Sequence, residues 1–289
     1  DGARQALGGP RTSCLARGGI AAALAAGDDV EARLADTLAA GSFHNDAALV
    51  RTVLAAAPDA IAWLQTMGVA FDRDAEGLQL GREGGHARPR IVHAGGDRTG
   101  DRVVAALRER VDAAGHVQWH RGVAVEALLM RGSAAAGVQT RDPDGGAGVI
   151  ESDAVVLATG GLGALYERST NPAGSMGAGI ALAMAGGARV RDMEFMQFHP
   201  TALEPGGGRL PLVTEALRGA GARLLDHRGE PLMHGLHPLG DLAPRDVVSR
   251  RVWQAQRHGP VWPDATALRV DWNRAFPTVL AACRAHGID

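Results

Sequence analysis

The run Ala154-Val155-Val156-Leu157-Ala158 is apolar without a break and stops abruptly at Thr159-Gly160-Gly161-Leu162-Gly163. A strand with one wet face alternates polar and apolar residues, so an unbroken run predicts a strand covered on both faces. Covering both faces takes helices on either side of a sheet, which predicts an α/β chain. Ligands in such folds sit beyond the strand ends, where glycine lets backbone approach and a side chain would collide. A second glycine-rich stretch, Arg11-Thr12-Ser13-Cys14-Leu15-Ala16-Arg17-Gly18-Gly19, lies near the start. Two such approaches in one α/β chain suit an extended dinucleotide, with pyrophosphate near one and the ring system or ribose near the other.

The remaining patterns fill in the chain. Residues 18–26 predict a helix opened by Gly18 and Gly19, an end that can receive a phosphate. Residues 46–67 have helical spacing interrupted by Pro58 and predict two helices. Residues 81–100 predict a glycine-rich loop crowded with polar side chains, followed by a helix over 101–114 and strands over 117–119, 123–130 and 136–140. Asp-Pro-Asp-Gly-Gly at 142–146 is a turn. A helix over 174–186, a strand-like segment over 190–199 and a Gly- and Pro-rich stretch over 204–211 complete the reading, without internal repeats.

Composition sets bounds on function. A formal net charge of -2 and a pI near 6.6 leave no basic face for nucleic acid and no polybasic patch for membranes. No apolar run is read as approaching the roughly 18 residues of a membrane span, and no signal peptide is visible. Cys14 and Cys283 stand far apart without metal-ligand spacing, so no metal site or disulfide framework is expected, which fits a reducing cytoplasm. All thirty cationic side chains are arginine, a residue suited to bidentate carboxylate contacts, although codon bias accounts for the same count. A start at Asp1 and a finish at Asp289 just past a helical pattern suggest a piece of a longer protein.

Three polar clusters carry the candidate chemistry. Arg82-Glu83-Gly84-Gly85-His86 is followed by Arg88, Arg90 and His93. It is either a solvated loop or a site in which Glu83 receives an ammonium and the Arg and His groups receive carboxylates. In Gln197-Phe198-His199-Pro200-Thr201, the proline holds His199 extended. Thr201, Thr214, Glu215 and Arg218 all follow within about 20 residues, company that a plain core histidine does not keep. Ala243-Pro244-Arg245 opens a helix and leaves Arg245 near its positive end, a poor place for a cation unless an anion is close; Asp241 or Asp246 are the bland partners.

Taken in order, these segments resemble the flavoprotein family of succinate dehydrogenases, fumarate reductases and L-aspartate oxidases. The likeness rests on S-C-L-A-R-G-G-I-A at 13–21, V-V-L-A-T-G-G at 155–161, E-F-M-Q-F-H-P-T at 194–201, T-E-A-L-R-G-A-G at 214–221 and L-A-P-R-D-V-V-S-R at 242–250. It implies an FAD-binding Rossmann-like domain of the glutathione-reductase type over 1–192 and an α+β capping domain over 193–289. The cofactor implied is FAD, touched by Thr12, Ser13, Cys14, Leu15, Ala16, Arg17, Gly18, Gly19, Val125, Thr159, Gly160, Gly161 and Ala178. Thr12-Ser13-Cys14 stand where covalent members carry a histidine, so FAD is expected to be non-covalent.

Within the family, R-E-G-G-H resembles the branch that oxidises L-aspartate, because Glu83 would orient an amino group that succinate lacks. The resemblance implies Arg245 as the proton-transfer residue, His199 and Thr214 as carboxylate contacts and Glu215 as their support. A guanidinium is a poor base unless a neighbouring carboxylate and burial change its proton affinity. Iminoaspartate as product, fumarate as a further substrate and quinolinate synthase as a partner in NAD biosynthesis are also implied. Several family features depart here: no G-x-G-x-x-G strand precedes the FAD loop, Gly177-Ala178-Gly179 replaces G-D-G, and the later His and Arg are absent. These keep two rivals open, a soluble fumarate reductase or succinate dehydrogenase subunit and a non-catalytic remnant.

Overall fold

The computed structural model describes residues 12–204 and 209–288. Arg11 of the first glycine-rich stretch and part of the 204–211 stretch lie outside them. In chain order come a 3-10 turn Thr12–Leu15, β1 (Ile20–Ala21), α1 (Val30–Ala40), α2 (Ala47–Thr66), β2 (Arg73–Asp74), β3 (Gly77–Leu78), β4 (Leu80–Gly81), β5 (Ile91–Val92) and α3 (Thr99–Asp112). Then follow β6 (Ala124–Arg131), β7 (Ala134–Arg141), β8 (Ala147–Glu151), α4 (Ala178–Ala185), α5 (Ala216–Gly219), β9 (Arg223–Leu225), α6 (Arg245–Gln256), β10 (Trp262–Asp264), α7 (Trp272–Ala275) and α8 (Pro277–Ala285).

The chain divides into two compact units that interleave along the sequence. One comprises 1–12, 114–196 and 207–210, the other 13–113, 197–206 and 211–289. The units do not divide at the expected 192/193 boundary.

In the first unit, β6, β7 and β8 form an antiparallel sheet with β7 in the middle. The β7–β8 turn is built as its sequence requires. The Asp142 carboxylate accepts from the N–H groups of Asp144 and Gly146, and the Asp142 N–H donates to the Gly146 carbonyl.

The second unit holds the well-packed cores. Ala22, Ile61, Val69, Phe71, Val92 and Ala94 pack around the β1–β5–β4 sheet. Leu224, Leu232, Met233, Ala243, Val248 and Val252 pack α6 against β9. Val213, Leu217, Ala222, Phe276 and Val279 join α5 to α8. Asp97 ties α8 down: its carboxylate accepts from the N–H groups of Thr278 and Val279 at 3.0 and 3.1 Å and from the Thr278 hydroxyl at 2.8 Å. Two of these three bonds satisfy backbone donors that a helix start leaves open.

Several sequence expectations fail locally. Residues 18–26 hold no helix; Ile20 and Ala21 instead pair with Val92 and Ile91. The glycine is needed for that pairing, because a Cβ on Gly19 would lie 2.2 Å from the Val92 carbonyl oxygen. Residues 46–67 form one helix, not two. Asp46 caps its start through bonds to Ala48 and Leu49, and Pro58 sits inside it, forgoing one ladder bond. Its alanine-rich make-up also makes α2 long and apolar enough, by length and composition alone, to cross a membrane, although only 6% of the relevant window is buried and the helix carries Arg51 and Asp59.

The run at 154–158 is not in a strand, and Val156 is 87% exposed. No described strand lies beside it to complete a ladder. Residues 117–119 form no strand either, following a turn in which Val117 donates to the Ala114 carbonyl. The segment 190–199 is irregular, since Asp192 has φ +58 and Phe195 folds back onto the Asp192 carbonyl. Gly177, with φ +76, delays the start of α4 to Ala178.

Candidate functional site

One cluster in the second unit gathers the candidate catalytic groups from three parts of the chain: the loop after β4, the segments leading into α5, and the start of α6. Pro244 precedes the first turn of α6 and sets Arg245 at its N-terminal residue. The anion this position calls for is Glu215, whose Oε2 accepts from Arg245 Nε at 2.7 Å. Glu83 Oε2 lies 4.0 Å from Arg245 Nη2. The bland partners do not serve: Asp246 pairs with Arg250 at 3.0 Å, and the Asp241 carboxylate accepts from Leu224 N–H. Arg245 Nη1 donates to Gln197 Oε1 at 2.9 Å, so neither hydrogen bond engages Nη2.

Glu215 is the hub. Its Oε1 accepts from Arg218 Nη2 at 2.8 Å, and both side chains are almost fully buried. Arg218 Nη1 also donates to the Asp241 carbonyl. Burial depresses the Arg218 pKa, and Glu215 opposes that shift. Gly84 has no room for a side chain: a Cβ there would sit 2.5 Å from Glu215 Oε1.

Glu83 is 7% exposed, and its Oε1 is buried without a hydrogen-bond partner. Burial raises its pKa, repulsion from Glu215 adds to the rise, and Arg245 and the Gly19 N–H pull the other way. A desolvated carboxylate oxygen left open is costly to a fold and gains from a cation.

His199 has its pKa pushed down to about 4, first by burial and then by Arg245. Its Nδ1 lies 2.9 Å from the Thr201 carbonyl oxygen and 3.3 Å from the Thr201 nitrogen. Thr214 is buried, with its hydroxyl accepting from Ala216 N–H at 3.4 Å at the start of α5. Neutral at ordinary pH, His199 can donate or accept a hydrogen bond without adding charge.

The arginines that follow R-E-G-G-H are bonded within the fold. Arg88 donates to the Gly27 carbonyl, while Arg90, fully buried, bridges Asp28 and Asp36 at 2.8 Å each. Arg90 therefore holds the fold, and Arg88 is exposed but tied to backbone. His93 lines a separate hollow of about 680 Å³ with Arg73, Arg82 and Arg274. The aspartates Asp72, Asp74, Asp97 and Asp271 in its wall are spent on backbone N–H groups. Shared bonds among titratable groups mark the cluster around Glu215 as the site.

Sequence reading did not single out Gln197 or Gly84, although both lie inside quoted motifs. The adjacent glycines of R-E-G-G-H were the available sign of a close approach.

The candidate cofactor residues fall in both units. In the first, Thr159 and Gly160 border a hollow of about 400 Å³ that also includes Gly179, Ile180 and Arg189, and Gly161 follows directly in the chain. Gly160 has φ +79, and neither Gly160 nor Gly161 has an atom within 4 Å of where a Cβ would stand. An open approach left free of side chains at Gly160 and Gly161 fits FAD. Ala178 opens α4 behind it, Gly177 N–H donates to the Gly161 carbonyl at 3.0 Å, and the Thr12 and Ser175 hydroxyls bond at 3.0 Å. Val125 pairs with Thr140 at an irregularity of β6.

In the second unit, Ser13, Cys14 and Leu15 belong to the 3-10 turn and Ala16 is exposed. Arg17 is buried and donates to the Leu212 carbonyl at 2.7 Å. A Cβ on Gly18 would come within 3.3 Å of Glu83 Oε1, while Gly19 is closed off by β5. No helix begins at Gly18 and Gly19, so a phosphate held by a helix end there is ruled out. Among the described residues, no group of three or more His, Cys, Asp or Glu side chains could hold a metal ion.

Comparison with known proteins agrees with this geometry. A family model described as "FAD binding domain" matches residues 3–281. L-aspartate oxidase of Streptomyces coelicolor is 46% identical over 286 residues, covering 95% of this chain and 49% of the relative. L-aspartate oxidase of Mycobacterium tuberculosis H37Rv is 48% identical over 281 residues, with 95% and 52% covered. The chain spans about half the length of the curated relatives it matches. Among solved structures, a variant of E. coli quinol fumarate reductase superposes with a TM-score of 0.84 at 27% identity, over 95% of this chain and 50% of that one. Mycobacterium smegmatis Sdh1 gives 0.74 at 29% identity, over 100% and 54%. The expected fold class, a mixed helix-and-sheet FAD-binding domain like that of the fumarate reductase flavoproteins, is borne out.

Proposed function

Because the chain belongs to the FAD binding domain family, we propose that it serves FAD-dependent oxidation of L-aspartate to iminoaspartate, with fumarate as a second substrate. Its cofactor is FAD, which when bound supplies the two-electron acceptor. The observation that carries the choice of an amino acid is Glu83 Oε1, buried and unpartnered within the cluster. Succinate and fumarate have no group that would satisfy it, whereas the ammonium of L-aspartate does. Neutral His199 and the Thr214 hydroxyl would receive a substrate carboxylate.

Arg245 is the proton-moving residue in this reading. Glu215 holds its Nε and Gln197 its Nη1, so Nη2, 4.0 Å from Glu83 Oε2, is the edge that faces substrate in this reading. The buried Glu215–Arg218 pair keeps the carboxylate from swinging away. Iminoaspartate is the compound quinolinate synthase would consume in NAD biosynthesis, and a cytoplasmic setting, which the free Cys14 and Cys283 fit, belongs to the same reading.

The test is Arg245→Leu. Loss of a general acid or base slows turnover by roughly 10²- to 10⁴-fold, so L-aspartate oxidation should be abolished while the absorbance of bound FAD stays. Near-normal turnover would overturn the assignment.

A further inference from the structure

The loop that carries Glu83 is gripped from outside the site. Arg33 and Asp36, one turn apart on α1, reach it side by side. Arg33 Nη1 lies 2.8 Å from His86 Nδ1, and Asp36 Oδ2 accepts from Ala87 N–H at 2.9 Å and from Arg90 Nη1 at 2.8 Å. On the other side of the same loop, Gly85 N–H donates to the Leu242 carbonyl at 3.1 Å and Gly84 lies against Glu215. Arg90 N–H closes the loop onto the Gly81 carbonyl at 2.9 Å. Glu83 therefore sits in a segment whose course is set by α1 through His86, Ala87 and Arg90.

Charge-assisted bonds of this sort hold geometry more firmly than they add stability. Replacing buried ion pairs with apolar residues is often neutral, so a network retained at such a place points to positioning. The bond from Arg33 also fixes the state of His86. A guanidinium has only donors, so Nδ1 must accept and the ring is neutral with its proton on Nε2. Burial, with Arg33 and Arg90 beside it, keeps His86 in that form, its pKa pushed down to about 4. Arg33 and Asp36 make no hydrogen bond to Arg245, Glu215 or His199; they reach the site only through the loop.

We propose that Arg33 and Asp36 of α1 are positioning residues that set the site's preference for an amine-bearing substrate by holding the loop at 82–90, and with it Glu83, in place. This rests on the reading that Glu83 receives the L-aspartate ammonium. An error of about 1 Å in such a contact costs far more than the contact's share of stability. The effect should therefore fall on the substrate that uses Glu83 and spare the one that does not.

The experiment compares Arg33→Ala, Asp36→Ala and the conservative Arg33→Lys in the FAD-loaded protein, measuring KM and kcat for L-aspartate and for fumarate, with hydrogen exchange of the 82–90 backbone. Expected are a roughly tenfold rise in KM for L-aspartate in the two alanine variants, fumarate values within about twofold, faster exchange over 82–90, and partial recovery in Arg33→Lys. Parallel losses on both substrates, or unchanged KM with unchanged exchange, would overturn the proposal. Should the unaltered protein fail to oxidise L-aspartate, the functional reading falls. The exchange of 82–90 then still decides whether α1 holds the loop.

Discussion

Glu83 is a carboxylate placed where its own charge is disfavoured, and that placement has a measurable consequence. Its pKa is raised by burial and by Glu215, yet an ammonium is received only by the ionised form. As pH falls through that raised value, L-aspartate binding should weaken, at a pH above the ordinary carboxylate range. Glu83→Gln should bind L-aspartate roughly 10- to 100-fold more weakly, the usual size of losing a charged hydrogen-bond partner, and should flatten the pH dependence. Fumarate binding should change little. Titration of KM against pH for both substrates checks this, and equal losses on both would mean that Glu83 only supports the loop. At this scale the sequence was most legible. Glu83, His199, Thr214, Glu215 and Arg245 were all in sight as polar residues in restrictive settings, and the fold brings them together. Gln197 was less visible because a surface glutamine has no distinguishing pattern until its partner is known.

Elements were read less well than residues, and the reasons are local. The helix expected after Gly18 became a two-residue strand because pairing with β5 outweighed a weak alanine-rich propensity. Pro58 did not divide α2, since a good cap at Asp46 and the burial of Ile61 support the helix on both sides of the missing bond. The β7–β8 turn, by contrast, was legible because Asp-Pro-Asp-Gly-Gly carries its own hydrogen-bonding instructions. A bond that no sequence period announces is the grip of Asp97 on α8, made across about 180 residues of chain. Asp97→Ala should strip three bonds from one helix start and lower stability by about 2 kcal/mol, the upper end for a lost cap. Urea unfolding reads this directly; an unchanged midpoint would mean that α8 is held by the packing of Phe276 and Val279 alone.

At the scale of the whole molecule, buried histidines set the response to acid. His86 and His199 both have their pKa values pushed down to about 4, and His93 is lowered as well, in each case chiefly by burial. Below the ordinary histidine pKa near 6.5, unfolded chains bind protons that the folded chain refuses, so unfolding takes up protons and acid favours it. Stability contributed by keeping these rings neutral is present above pH about 6.5 and is lost as pH falls towards about 4. The melting temperature should drop across that window, and His199→Gln should make the drop shallower; an equal slope in that variant would exclude His199 from the effect.

The exposed run at 154–158 has a consequence of a different kind. With Val156 standing out in solvent and the backbone outside any described ladder, this stretch presents a β-branched and uncharged surface. Such a segment is a template for adding strands from neighbouring copies. Preparations of this chain should therefore become turbid as concentration rises, and a charged residue in place of Val156 should keep them clear.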